Sequence, residues 1–182
     1  MFADVMVDLE TMSSRPNAAI AAIGAVAFDM KNLTLGETFY TTIDLESCEK
    51  LGLHFSASTV SWWMRQGDQA RRDVLAGQQS NLSMAVADFS SWLCQYCVPK
   101  KNLKIWGNGA NFDPVIMESA YYAADEPVPW EFWGVRCFRT LKGLYPNITM
   151  DERKGTHHNA LDDAVHQAEH IFKIRRTLRG NT

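Results

Sequence analysis

Acidic residues and one histidine occur in three short segments whose chemistry points to metal ions and a phosphodiester. Asp8 and Glu10 lie two residues apart at the end of an apolar strand. Asp113 stands in front of a proline, and His158 lies five residues before Asp163. Clustered carboxylates repel one another unless a cation neutralises them, and hard oxygen ligands favour Mg²⁺ or Mn²⁺ over zinc. The pattern therefore favours divalent cations that assist the attack of water on a phosphodiester bond.

Each segment also has a structural interpretation when it is taken alone. Alternate side chains of a strand share one face, so Asp8 and Glu10 can point together, yet a solvated strand edge has the same sequence. Asp113 precedes Pro114 and suits the N-cap of a helix, which its position alone favours over a catalytic role. An isolated loop histidine is usually only exposed. Only the combination of the three segments therefore indicates a catalytic site.

The last segment contains two histidine–aspartate pairs, so a register must be chosen between them. His157 lies five residues before Asp162, and His158 lies five residues before Asp163. On a helix over residues 160–178, Asp162 falls on the polar side, whereas Asp163 borders the packed stripe. A metal ligand must face inward, so the periodicity selects Asp163 and hence His158. The ordinary pKa of histidine, near 6.5, suits a general base that takes a proton from water.

The elements that must position these residues follow from hydrophobic periodicity. Strands are predicted over residues 3–8, 19–28, 36–43 and 103–106. Helices are predicted over residues 59–66, with Ser58 as N-cap, and over 69–75, 83–96, 113–124, 136–144 and 160–178. A meander followed by helices around a central strand predicts an α/β fold with a mixed sheet flanked by helices. The small residues Ala160, Ala164 and Ala168 would let the last helix approach the sheet closely.

The bulk composition is that of one globular domain. The 182 residues are 46% hydrophobic and 21% charged, without a repeat or long linker, so we expect a single domain over residues 1–182. The net charge of −3 argues against a protein that coats nucleic acid, though not against an enzyme that grips a few phosphates. No apolar run is long enough for a bilayer and the start lacks a signal-peptide pattern, which predicts a cytoplasmic protein without membrane attachment.

Taken together and in this order, the three segments resemble the motifs of the DnaQ-like 3′–5′ exonucleases of the DEDDh group. The matching stretches are Asp8-Leu9-Glu10-Thr11, Asn111-Phe112-Asp113 and His158 through Asp163. Further stretches, among them Val60-Ser61-Trp62-Trp63 and Phe132-Trp133-Gly134-Val135-Arg136, are similar to the exonuclease VIII-like branch of phages and prophages, which includes exoribonucleases. The resemblance spans nearly the whole chain. It implies a ribonuclease H-like fold with a central mixed five-stranded sheet.

The resemblance also implies a role for each site residue. Asp8, Glu10 and Asp163 would hold one cation, Asp8 would also reach a second, and Asp113 would act partly through water. His158 would deprotonate the attacking water, and two divalent cations, Mg²⁺ or Mn²⁺, would stabilise the attacking and leaving oxygens. The implied reaction releases nucleoside 5′-monophosphates from single-stranded nucleic acid with a free 3′ end. A homodimer is a further expectation, because many relatives are dimeric.

The candidates for substrate contacts are Thr11, Met12, Trp62, Trp63, Asn108, Arg136 and Arg139. Thr11 and Met12 follow the first motif, where relatives cradle the terminal nucleotide. Trp62 and Trp63 point about 100° apart on a helix, so one can stack on a base while the other is buried, unless both belong to the core. Arg136 and Arg139 suit phosphate contacts or ion pairs around the acidic site.

The sequence does not decide whether the substrate is RNA or DNA. The branch includes exoribonucleases, which gives a slight preference for RNA or short oligonucleotides, with a 3′–5′ exodeoxyribonuclease on single-stranded DNA as the alternative. A phosphodiesterase for dinucleotides is a third interpretation. A non-catalytic member that binds nucleic acid or a partner protein is disfavoured, because all the expected acidic residues and the histidine are present.

Overall fold

The computed structural model describes residues 1–75, 79–152, 155 and 158–180, with all their side chains except those of Asp73 and Leu75. Its centre is a sheet of five strands in the order β3-β2-β1-β4-β5. The strands are β1 (Asp4–Thr11), β2 (Ile20–Asp29), β3 (Thr34–Thr42), β4 (Lys104–Gly107) and β5 (Val135–Cys137). The first three pair antiparallel, whereas β4 runs parallel to β1 and β5 parallel to β4. The predicted mixed five-stranded sheet is confirmed.

Helices cover both faces of this sheet. They are α1 (Leu45–Lys50), α2 (Ala57–Met64), α3 (Asp68–Leu75), α4 (Leu82–Tyr96), α5 (Asp113–Ala123), α6 (Phe138–Leu144) and α7 (Ala160–Gly180). Because side chains alternate along a strand, Val5 and Val7 of β1 enter one core with α4 and α5, whereas Met6 enters a second core with α7. Within the described residues, no helix combines the length and apolar character needed to cross a membrane.

Three local elements differ from the sequence-based expectation. Residues 136–144 were expected to be helical throughout, but Val135–Cys137 forms β5, and only Phe138 begins the helix. Pairing with β4 decides this, and a three-residue strand has no periodicity of its own to reveal it. Ser58, expected as a cap, lies inside α2, which begins one residue after Ser56. The short helix α1, capped by Asp44, was not expected.

The approach of α7 to the sheet depends on Gly24. This glycine is the cross-strand partner of Asp8, and a Cβ on it would lie 2.2 Å from the backbone carbon of Ala160 and the backbone nitrogen of Leu161. Further along the helix, Ala164 and Ala168 are fully buried in the core that contains Met6. Glycine on the strand and alanines on the helix therefore permit the close approach that the sequence predicted.

Replacement of Gly24 should reveal this constraint. We expect Gly24→Ala to lower the free energy of unfolding by at least about 1–3 kcal/mol, since the methyl group meets backbone atoms that cannot rotate away. Gly143→Ala is the matched control: Gly143 lies in α6, where a Cβ meets nothing within 4 Å, and alanine is expected to be neutral or slightly stabilising. Chemical denaturation measures both. Equal midpoints for the two variants would contradict the packing role of Gly24.

Candidate active site

The end of β1 presents two carboxylates to α7. Asp8 is partly buried, and Glu10 is buried with 7% of its surface exposed. Both contact residues of α7, because Asp8 accepts a hydrogen bond from Gln167 and Glu10 lies beside Asp163. The strand alternation thus places the two acidic residues on one face, as expected from their spacing.

Glu10, His158 and Asp163 come together as a group of potential metal ligands. Each offers one ligand atom, and these atoms lie within 4.8 Å of one another. Asp163 reaches the group from the first turn of α7, whereas the neighbouring Asp162 lies against Gly155. The helix periodicity therefore selected the aspartate that the structure brings to Glu10. His157, the alternative histidine, falls outside the described residues.

His158 is fixed from two sides. Its backbone φ of 65° lies in the left-handed region, which costs a non-glycine residue free energy and recurs at functional sites. The next residue, Asn159, accepts hydrogen bonds from the backbone nitrogens of Leu161 and Asp162 and so caps α7. The imidazole meets the rings of Trp62 and Trp63 edge to face, at centroid distances of 4.9 and 6.2 Å. A helix cap and two indoles thus set the position of the imidazole.

Asp113, at the start of α5, meets β1 at the edge that is left open beyond the end of β4. Its Oδ1 accepts from the backbone nitrogen of Leu9 at 3.3 Å, and its Oδ2 accepts from that of Asn108 at 2.9 Å. The Leu9 N–H needs this acceptor because the ladder between β1 and β4 ends at Met6 and Trp106. The cap interpretation is wrong: Phe112 holds the N-cap position of α5, and the Asp113 carboxylate binds the strand and the preceding loop.

The electrostatic surroundings of Asp113 favour a cation. The side chain is 2% exposed, and this burial raises the pKa of its carboxyl to about 6. The backbone donors of Asn108 and Leu9 and the positive charge of Arg139 oppose that shift. A carboxylate buried so deeply is stabilised as an anion by nearby positive charge. Carboxylate oxygens on one face and at the edge of β1 are the type of donor that a hard divalent cation requires, so the residues fit such an ion.

The two tryptophans occupy different environments. Trp63 is only 5% exposed, belongs to the core, and donates from Nε1 to the carbonyl oxygen of Thr11 at 3.0 Å. Trp62 is 37% exposed beside His158. Thr11 and Met12 are themselves buried, and the Thr11 hydroxyl donates to the carbonyl oxygen of Ser13. Of the two indoles, Trp62 therefore has the accessible face, whereas Trp63 supports the end of β1 from within the protein.

The two candidate arginines interact with different groups. Arg139 is exposed and acts electrostatically on Asp113. Arg136 instead donates to the carbonyl oxygens of Trp133 and Val135, and its charge acts on Asp4 at the start of β1. Arg136 belongs to β5 and does not share a helix with Arg139. Its candidacy as a phosphate contact stays a prediction.

One residue at the site was not predicted from the sequence. Gln167 is buried on α7 and donates from Nε2 to Oδ1 of Asp8 at 2.7 Å. Its spacing of four residues after Asp163 places both side chains on one helix face, which was the available signal. The four-residue spacing can be interpreted only when the packing of α7 against β1 is known.

Comparisons with known proteins agree with this architecture. An exodeoxyribonuclease of Enterobacteria phage T4 is 27% identical over 125 residues, which are 63% of this chain and 54% of the phage protein, so the chain spans about half of that relative. The nuclease domain of 3′hExo, a DEDDh family member solved with rAMP, has a TM-score of 0.61 at 14% identity over 97% of this chain and 92% of that one. E. coli exonuclease I in complex with a dT13 oligonucleotide has a TM-score of 0.64 at 16% identity over 98% and 41%. At such identities the two structures establish the fold alone.

The family comparison covers more of the sequence. Residues 3–174 match the family described as the 3′–5′ exoribonuclease Rv2179c-like domain. This range includes all three segments that carry the candidate ligands, and the DnaQ-like resemblance drawn from them is confirmed. The chain belongs to the Rv2179c-like family of 3′–5′ exoribonuclease domains.

Proposed function

We propose that this protein is a metal-dependent 3′–5′ exonuclease that releases nucleoside 5′-monophosphates from single-stranded nucleic acid with a free 3′ end. The observation that carries the proposal is the convergence of Glu10, His158 and Asp163, whose ligand atoms lie within 4.8 Å of one another. Asp8 and Asp113 complete the set through their contacts with Gln167 of α7 and with the backbone of Leu9.

The carboxylates hold two divalent cations, Mg²⁺ or Mn²⁺, in this proposal. Asp8, Glu10 and Asp163 bind from the α7 side of β1, and Asp113 contributes from the α5 side. Oxygen ligands of this type suit hard cations, and the negative charge that they concentrate needs such a partner. When bound, the cations supply Lewis-acid stabilisation of the attacking and leaving oxygens.

His158 serves as the general base. It lies beside the carboxylates, is only partly buried, and can therefore take a proton from water and pass it to solvent. Trp62 offers its exposed ring to a base, and Arg139 offers a guanidinium to a phosphate. Thr11, Met12 and Asn108 shape the pocket for the terminal nucleotide, while Trp63 keeps the carbonyl of Thr11 in place.

RNA or short oligonucleotides are the proposed substrates. The family description names an exoribonuclease, which supports this choice. The T4 relative is named an exodeoxyribonuclease, so single-stranded DNA is the alternative substrate. The difference between the two polymers is the 2′-hydroxyl, which a protein recognises through a donor or acceptor placed near the sugar.

Three other sequence-based expectations stay predictions. They are the organisation as a single domain over residues 1–182, the homodimer and the cytoplasmic location. Analytical ultracentrifugation of the purified chain measures the second of these directly.

Matched oligonucleotides test the function and its polarity in one assay. DNA and RNA strands of equal sequence, labelled at either end, should release labelled mononucleotide first from the 3′ label, and only when Mg²⁺ or Mn²⁺ is present. We expect RNA to be shortened faster than DNA. Release that starts from the 5′ label would contradict the proposed polarity, and faster decay of DNA would reverse the substrate assignment.

Adjacent aspartates provide a test of the ligand assignment. We expect Asp163→Asn to lower kcat by more than the roughly 10- to 100-fold that follows loss of a residue behind a metal ligand. Asp162→Asn, one residue away and directed at Gly155, is the control and should keep most of the activity. His158→Asn should cost about 10²–10⁴-fold, the usual contribution of a general base, because asparagine tolerates the left-handed backbone of this position. Equal activities of the two aspartate variants would refute the site.

Variants of the two tryptophans should change different properties, stability for Trp63 and substrate binding for Trp62. Trp63→Phe removes the hydrogen bond to Thr11, and we expect a loss of about 1–3 kcal/mol in the free energy of unfolding. Trp62→Ala should instead raise KM for oligonucleotides, by a stacking loss of about 1–3 kcal/mol per base. Urea denaturation and steady-state kinetics measure the two effects. A Trp62→Ala enzyme with unchanged KM and reduced kcat would show that Trp62 orients His158 and does not stack on substrate.

A further inference from the structure

Gln167 is a buried polar residue whose place in the fold is set by the candidate metal site. It lies on α7, four residues after Asp163, and only 5% of its surface is exposed. Its amide nitrogen donates to Oδ1 of Asp8 at 2.7 Å. The same helix therefore brings Asp163 to Glu10 and an amide donor to Asp8.

The orientation of this amide follows from the chemistry of its partner. An ionised carboxylate only accepts hydrogen bonds, so the nitrogen of Gln167 must face Asp8. The amide oxygen is then turned elsewhere, and it is buried without a hydrogen-bond partner among the described residues. The amide nitrogen thus has a hydrogen-bond partner in Asp8, whereas the amide oxygen has none among the described residues.

The energetics indicate that the amide does not stabilise the fold. A hydrogen bond to a charged group contributes about 1.5–3 kcal/mol, and a buried polar atom left without a partner costs about 1–3 kcal/mol. The two terms nearly cancel. A methionine of similar length and volume would lose both. Because Asp8 is only partly buried, solvent can replace the donor that its carboxylate would lose, so the apo fold gains little from the glutamine. The amide donor therefore acts on Asp8 and contributes little to packing.

We propose that Gln167 positions the carboxylate of Asp8 for cation binding. The inference rests on the proposed function, in which Asp8 is a metal ligand. The amide donates to Oδ1 and thereby restricts the rotation of the carboxylate. As a neutral donor, it does so without adding charge to a cluster that already contains Glu10 and Asp163. Its effect is to hold a repelled ligand at the cluster before a cation arrives.

Mn²⁺ titration of Gln167→Met, followed by electron paramagnetic resonance of the free ion, tests the inference without nucleic acid. We expect Mn²⁺ affinity to fall by roughly 10- to 100-fold, the usual cost of losing a residue that orients a metal ligand. Thermal unfolding in EDTA should show a melting temperature equal to or above that of wild type. Gln167→Leu serves as a second variant with the same expected pattern.

A double variant shows whether Gln167 acts through Asp8. In an Asp8→Asn background, the further change Gln167→Met should leave Mn²⁺ affinity unaltered, because the positioned ligand is already gone. A Gln167→Met protein that binds Mn²⁺ as tightly as wild type would overturn the role of Gln167 while leaving the metal site intact. A wild-type protein that binds no Mn²⁺ would overturn the metal site and the role of Gln167 with it.

Discussion

The distance at which α7 lies from the sheet determines whether a cation site can form in this protein. Asp8 and Gly24 are cross-strand partners, so one pair of residues provides both a carboxylate and the space for the helix. The first turn of α7 occupies the position that a Cβ of residue 24 would take. Asp163 and Gln167 reach β1 only because of this approach. Functional groups tolerate displacements of about 0.5 Å, so the missing methyl group matters to the chemistry as much as to packing.

The second constraint is that β1 continues beyond its parallel neighbour. The ladder to β4 ends at Met6, which frees the backbone of Leu9 to bind the carboxylate of Asp113. Leu9 lies between Asp8 and Glu10, so the strand joins the candidate ligands on its α7 face to a further carboxylate at its edge. A shift of β1 by one residue would turn Asp8 and Glu10 together to the other face of the sheet, away from Asp163. Such a crevice beyond the carboxyl ends of parallel strands is the usual place for a site in an α/β sheet.

Local periodicity was sufficient to predict the parts of the site that one element carries alone. The two-residue spacing of Asp8 and Glu10 and the stripe of α7 gave the correct faces, and thus the choice of Asp163. Local periodicity could not identify contacts between residues of different elements. Asp113 was interpreted as a helix cap because the backbone N–H groups that donate to its carboxylate, those of Leu9 and Asn108, are identified only by the tertiary structure. Arg136 was assigned to a helix because a three-residue strand has no pattern of its own. Gln167 was missed because its partner is 159 residues away.

That separation along the chain has a consequence for synthesis. A ribosome produces β1 first, and the segment that supplies Asp163 and Gln167 emerges only after every other helix and strand of the domain has been made. Contacts so distant in sequence are slow to form, because closing the long loop between them costs conformational entropy. A partly synthesised chain that lacks this segment would hold Asp8, Glu10 and Asp113 without His158 and Asp163. The proposed ligand set is therefore complete only in the finished domain, once α7 has packed onto β1.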